Sequence, residues 1–83
     1  MIDYDYIVKV LKQKGFKLNQ IAEILEIQYQ TLRKNLKSGN GLEMTQRIAL
    51  ATNINFIEFL IPPDSFAHFY EPTSGEWLGI RKK

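Results

Sequence analysis

The stretch Leu18-Asn19-Gln20-Ile21-Ala22-Glu23-Ile24-Leu25-Glu26-Ile27-Gln28-Tyr29-Gln30-Thr31-Leu32 decides how this chain is read. Leu18, Ile21, Ala22 and Leu25 recur at the i, i+3, i+4, i+7 spacing of one helical face, so a helix is expected from about Leu18 to Leu25. The pattern breaks at Glu26–Ile27. It resumes from about Gln28 to Lys37, where Leu32 and Leu36 face inward. Two helices are thus joined by a very short turn. Ala22 lets a second helix backbone come close, and the outer side of the second helix is polar.

Working outward, Tyr4, Ile7, Val8 and Leu11 repeat the same spacing ahead of this pair. Asp3 or Asp5 can cap that first helix, Lys12 and Lys14 sit in its last turn, and Gly15 stops it. Ser38-Gly39-Asn40-Gly41 is a loop. A fourth helix is expected from roughly Leu42 to Thr52, burying Met44 or Thr45, Ile48 and Ala49, with Asn53 at its end. Asn55 and Glu58 form an Asn-x-x-Glu capping box for a short fifth helix, Asn55 to Leu60, which Pro62-Pro63 cannot continue.

The tail changes character. Phe66 to Glu71 and Glu76 to Arg81 flank Pro72-Thr73-Ser74-Gly75, a four-residue hairpin loop. That loop sets Tyr70 opposite Trp77 and Phe69 opposite Leu78. One face then carries Ala67, Phe69, Leu78 and Ile80, and the other Phe66, Tyr70 and Trp77. Both are apolar, and a lone two-stranded hairpin is marginal in water. It must dock on the helices, pair with a second subunit, or do both.

The bulk properties bound the answer. Eighty-three residues make one small domain, burying only around 60% of its unfolded surface. There are no cysteines, which excludes disulfides and thiolate metal sites and suits a cytoplasmic protein. No basic segment followed by an apolar run trails Met1, so no secretory leader is expected, and no apolar stretch approaches the roughly 20 residues that span a bilayer. The net charge of +2 says little, but its distribution is uneven. Lys9, Lys12, Lys14, Lys17, Arg33, Lys34 and Lys37 face only Glu23 and Glu26, whereas Leu42 to Glu76 leans acidic. Such asymmetry suggests one electropositive face, with ordinary solvated helix surfaces as the bland alternative.

The quoted stretch is similar to the lambda-repressor-like family, also called the XRE family, whose usual pattern is Gln-x-x-aliphatic-Ala-x-x-Leu-Gly-Val-x-x-x-Thr-Ile. Ile21, Ala22, Leu25, Ile27, Thr31 and Leu32 match it, and the resemblance runs from residue 4 to about 60, through Arg47-Ile48-Ala49 to Leu60. It implies a mainly α, five-helix lambda-repressor-like DNA-binding domain over residues 1–61, with a C-terminal β-hairpin extension over 62–83. Two positions depart from the pattern. Leu18 replaces a Gln that helps hold a phosphate in relatives, leaving Asn19 or Gln20 as its neighbours, and Glu26 replaces the turn Gly. A non-Gly residue in a left-handed conformation costs on the order of 1 kcal/mol.

The family places the second motif helix in the major groove of double-stranded DNA. By that resemblance Gln28, Tyr29, Gln30, Arg33 and Lys34 are the base-contact candidates, since Gln can bond adenine bidentately and Arg guanine. Tyr29, three before Leu32, could instead complete the core. Lys17, Asn19 and Gln20 at the start of the first motif helix, with Lys37, Ser38, Gly39 and Asn40 after the second, are the phosphate candidates. The implied function is a homodimeric transcription regulator, a repressor of bacterial, phage or mobile-element origin, with Phe59, Phe66, Tyr70 and Trp77 as the dimerisation residues. The competing reading is a protein-interaction module on the same fold: an antitoxin, or a phage inhibitor that holds an enzyme through its hairpin.

Enzyme chemistry finds no support. Asp64, Ser65 and His68 supply triad residue types without a Gly-x-Ser-x-Gly elbow or an oxyanion loop. A single histidine cannot build a histidine-based metal site, and His68 is expected on a strand surface. Glu71 and Glu76 flank the hairpin turn as solvated carboxylates. No cofactor motif, such as a Gly-rich phosphate loop, occurs.

Overall fold

The computed structural model describes residues 2–38 and 41–83. It is mainly helical, with α1 at Tyr4–Gln13, α2 at Leu18–Ile24, α3 at Tyr29–Lys37 and α4 at Gly41–Thr52. An antiparallel hairpin of β1 (Phe66–Tyr70) and β2 (Trp77–Lys82) follows. None of the described helices is long and apolar enough to cross a membrane.

Three of the four helices stop by the same device. Gly15, Glu26 and Asn53 take left-handed φ values of 86°, 57° and 58°. After α1, Gly15 N–H donates to Lys12 O and Phe16 N–H to Leu11 O at 2.9 Å. After α2, Glu26 N–H donates to Glu23 O, and Ile27 N–H to Ala22 O at 3.0 Å. After α4, Ile54 N–H donates to Ala49 O. In this Schellman arrangement the left-handed residue satisfies the orphan carbonyls and turns the next residue back toward the helix. The residues so turned are Phe16, Ile27 and Ile54, and all three pack against the core. Glu26 therefore takes the conformation of a turn glycine without being one.

The core joins Ile7, Val10 and Leu11 of α1 to Ile21 and Ala22, Leu32 and Leu36, Met44, Ile48 and Ala49, and Phe59. In α1 it is Val10, and not Val8 of the expected stripe, that is buried. Asp3 caps α1 by accepting from Tyr6 N–H at 3.1 Å. Met44 and Thr45 are both buried, the Thr45 hydroxyl donating to Gly41 O one turn back at 2.6 Å. Gly41 makes a close approach that a side chain would crowd: a Cβ there would lie 3.0 Å from Leu36 O. That close approach lets α4 start against the end of α3.

Two expectations are corrected. The fifth helix is a four-residue 3-10 turn, Phe56–Phe59. Asn55 caps it, accepting from Ile57 N–H at 3.1 Å, but Glu58 does not reach back to close the capping box. Its carboxylate is drawn instead to Lys14 Nζ at 3.0 Å, where it is buried between the turn and α1. The hairpin register also changes. Tyr70 pairs with Trp77 as expected, but Phe69 pairs with Gly79, and Leu78 is the extra residue of a bulge. Gly79 has a φ of 117°, which accommodates it. The bulge moves Ile80 opposite His68, onto the face that carries Tyr70 and Trp77.

The stop signals give a direct test. Nothing lies within 4 Å of a Cβ on Gly15, so Gly15→Ala should lose about 1 kcal/mol from backbone strain alone. Glu26→Gly trades relief of that strain against a more flexible unfolded chain, and should gain about 0.5 kcal/mol. Urea denaturation followed through Trp77 fluorescence measures both.

Candidate nucleic-acid interface

Alpha-helix α3 buries one stripe and exposes the other. Leu32 and Leu36 are inside, while Gln28, Tyr29, Gln30, Thr31, Lys34 and Lys37 are exposed. Tyr29 is 42% exposed and so is not the core residue that its spacing allowed. Gln28 is the N-cap of α3 with its side chain making no cap bond, which leaves both ends of its amide for a ligand.

Arg33 is held more firmly than a solvated arginine. It is half-buried, its Nε donates to the Tyr4 hydroxyl at 3.2 Å, and its guanidinium lies 5.7 Å from the Tyr29 ring centroid. The hydrogen bond to Tyr4 pushes its pKa still higher. One turn further on, Lys37 Nζ sits 4.7 Å from the centroid of the Tyr4 ring. Tyr4 thus touches both cations, on α3 positions one helical turn apart, from the start of α1. Sequence spacing placed Tyr4 on the inward face of α1; its phenol tip was the part that spacing could not resolve.

The remaining phosphate candidates fall in two groups. At the start of α2, Lys17, Asn19 and Gln20 are exposed. Gln20 Oε1 accepts from Lys17 N–H at 2.9 Å, closing the first turn, so its amide NH2 is the part that can meet a ligand. After α3, Ser38 is exposed and its hydroxyl donates to Asn35 O at 3.2 Å. Gly39 and Asn40 lie outside the described residues. Chemically, α3 presents amides, a held guanidinium and two lysines on one surface, the set that bonds base edges and phosphates.

Two of the aromatic residues assigned to dimerisation, Phe59 and Trp77, are engaged within the chain. Phe59 is fully buried in the core, with no surface to offer a second subunit. Trp77 Nε1 donates to His68 Nδ1 at 3.0 Å, and His68 Nε2 donates to Leu60 O at 2.7 Å. Because indole is only a donor and a carbonyl only an acceptor, these two bonds assign His68 as the neutral Nε2–H tautomer. Its ring also stacks on Tyr6 at 6.4 Å. His68 is therefore the half-buried centre of the hairpin's docking face, not a strand-surface residue. Lys14 Nζ lies 5.3 Å from the Tyr70 ring centroid. Burial, with the Glu58 carboxylate beside it, pushes the Tyr70 phenol up to about 12. Phe66 and Tyr70 remain on the surface, as do Phe69 and Leu78 of the outer face.

Glu71 is more than a solvated carboxylate. It accepts from the backbone N–H groups of Thr73 and Ser74, and the Ser74 bond above all holds its carboxyl below the usual range. No cluster of three or more His, Cys, Asp or Glu residues suited to a metal ion occurs among the described residues. Comparison with protein-family models, with curated proteins and with solved structures finds no match to this chain.

The Tyr70 cluster makes stability depend on alkaline pH. Unfolded Tyr70 loses its proton near pH 10 while the folded phenol keeps it to about 12. The folded chain then binds the extra proton, so this contribution is complete below pH 10 and is lost as pH rises toward 12. Urea midpoints between pH 9 and 12 should fall, and Tyr70→Phe should flatten most of that fall. Tyr6, whose phenol is also raised by burial, supplies the remainder.

Proposed function

We propose that this chain is a lambda-repressor-like helix-turn-helix protein that binds double-stranded DNA sequence-specifically and regulates transcription, as a repressor. The observation that carries this reading is the division of α3. Leu32 and Leu36 anchor one side in the core while Gln28, Tyr29, Gln30, Lys34 and Lys37 are displayed on the other, with Arg33 held beside them. The short α2–α3 turn and the matching residues from Ile21 to Leu32 support the same reading. On this proposal α3 enters the major groove. Gln28, Gln30 and Arg33 read base edges, Tyr29 and Lys34 border them, and Lys17, Asn19, Gln20, Lys37 and Ser38 meet phosphates.

Repression follows by occupancy of an operator. A two-fold symmetric dimer would read half-sites about one helical turn apart, roughly 34 Å. The surface available to a second copy, or to a protein partner of an antitoxin or inhibitor, is the hairpin's outer face. There Phe69 and Leu78 are 38% and 41% exposed.

Selection from a random duplex pool should return a motif, palindromic if the protein binds as a dimer. Arg33→Ala and Gln30→Ala should each cost about 1–3 kcal/mol and relax one position of that motif. Lys37→Ala should weaken binding to all sequences and flatten its salt dependence by about one counterion. Recovery of no motif, with no duplex held more tightly at low salt, would refute the reading.

A further inference from the structure

The contact between α1 and α3 bears on how a base is read. Arg33 has three nitrogens that can donate, and Tyr4 takes one of them. Its hydroxyl accepts from Nε at 3.2 Å, leaving the Nη1 and Nη2 pair as the outward fork. The Tyr29 ring lies on the guanidinium at 5.7 Å from its centroid, restraining the plane of the fork as well as its direction. Guanine offers O6 and N7 as two adjacent acceptors in the major groove, and an arginine can meet them end-on through the Nη pair or side-on through Nε and one Nη. With Nε engaged by Tyr4, only the end-on approach remains.

We infer that Tyr4 is a positioning residue for base recognition, holding Arg33 so that its Nη1–Nη2 fork reads a guanine end-on. This rests on the DNA-binding reading proposed above. A free arginine loses rotamer freedom when it docks on a base; one already fixed by a phenol and an aromatic ring loses less. Tyr4 therefore sharpens discrimination at one base pair without touching DNA. Its ring serves Lys37 separately, so the hydroxyl and the ring can be tested apart.

Tyr4→Phe removes the hydroxyl and keeps the ring, and circular dichroism with Trp77 fluorescence checks that the chain still folds. In binding to the selected motif and its single-base variants, Tyr4→Phe should lower the preference for the guanine read by Arg33 about five- to tenfold. Preference at the other positions should stay as in the wild type. In an Arg33→Ala background the same change should have no further effect, because there is nothing left to position. Arg33→Lys, which has no fork, should lose the preference whether position 4 is Tyr or Phe. An equal loss on all sequences, or a loss that persists with Arg33→Ala, would show that Tyr4 acts only on the fold or on phosphates and overturn the inference. So would a Tyr4→Phe variant with an unchanged motif. Failure of the wild type to select any motif is a different result, and it sinks the DNA-binding reading itself.

Discussion

The hydrogen bond from Ile27 N–H to Ala22 O, closed over a left-handed Glu26, is the constraint on which the rest of this structure depends. It ends α2 and turns Ile27 into the core in a single step. Alpha-helix α3 then starts at Tyr29, two residues later. The small side chain of Ala22, 4% exposed, is buried in the core one turn before this stop. A larger residue there, or a turn without the left-handed step, would separate α2 from α3 and re-aim the polar face of α3. The cost is a non-glycine residue at a φ of 57°, on the order of 1 kcal/mol. Burial of Ile27 and two satisfied carbonyls offset it.

Two side-chain networks fasten what the helices alone leave loose. Around α3, the Tyr4 phenol ties Arg33 and Lys37 to the start of α1. At the opposite end of α1, Lys14 neutralises Glu58 and lies against the Tyr70 ring, joining that helix to the 3-10 turn and the hairpin. Next to it, His68 links Trp77 to Leu60 O. A two-stranded sheet of this size is marginal alone. It is held here by a cluster in which nearly every polar atom named has a partner, and an unpartnered charge in such a place would cost several kcal/mol.

Most of the helices could be read from spacing, because the i, i+3, i+4 repeat and the Gly15 and Asn53 stops are local signals. The polar face of α3 was legible for the same reason. The hold on Arg33 was not, since its contact with Tyr4 joins residues 29 apart in the chain. The fifth helix was misread because Asn55 and Glu58 satisfy a local rule that a distant lysine overrides. The hairpin aromatics keep their expected faces, and it is Ile80 that one residue of register moves. The bulge at Leu78 puts Ile80 with His68, and no pattern of alternation announces an inserted residue.

The sequence by itself determined four helices, the tight turn between the middle pair, the four-residue hairpin loop and the polar set on α3. Each depends on residues within one or two turns of each other. Only the tertiary structure decided that Glu58 is an ion-pair partner buried against Lys14, that His68 is a neutral bridge beneath the hairpin, and that Tyr4 holds Arg33. Those outcomes depend on which side chains meet when distant segments pack, and hydrogen-bond geometry, unlike hydrophobic periodicity, leaves no repeat in the chain to read.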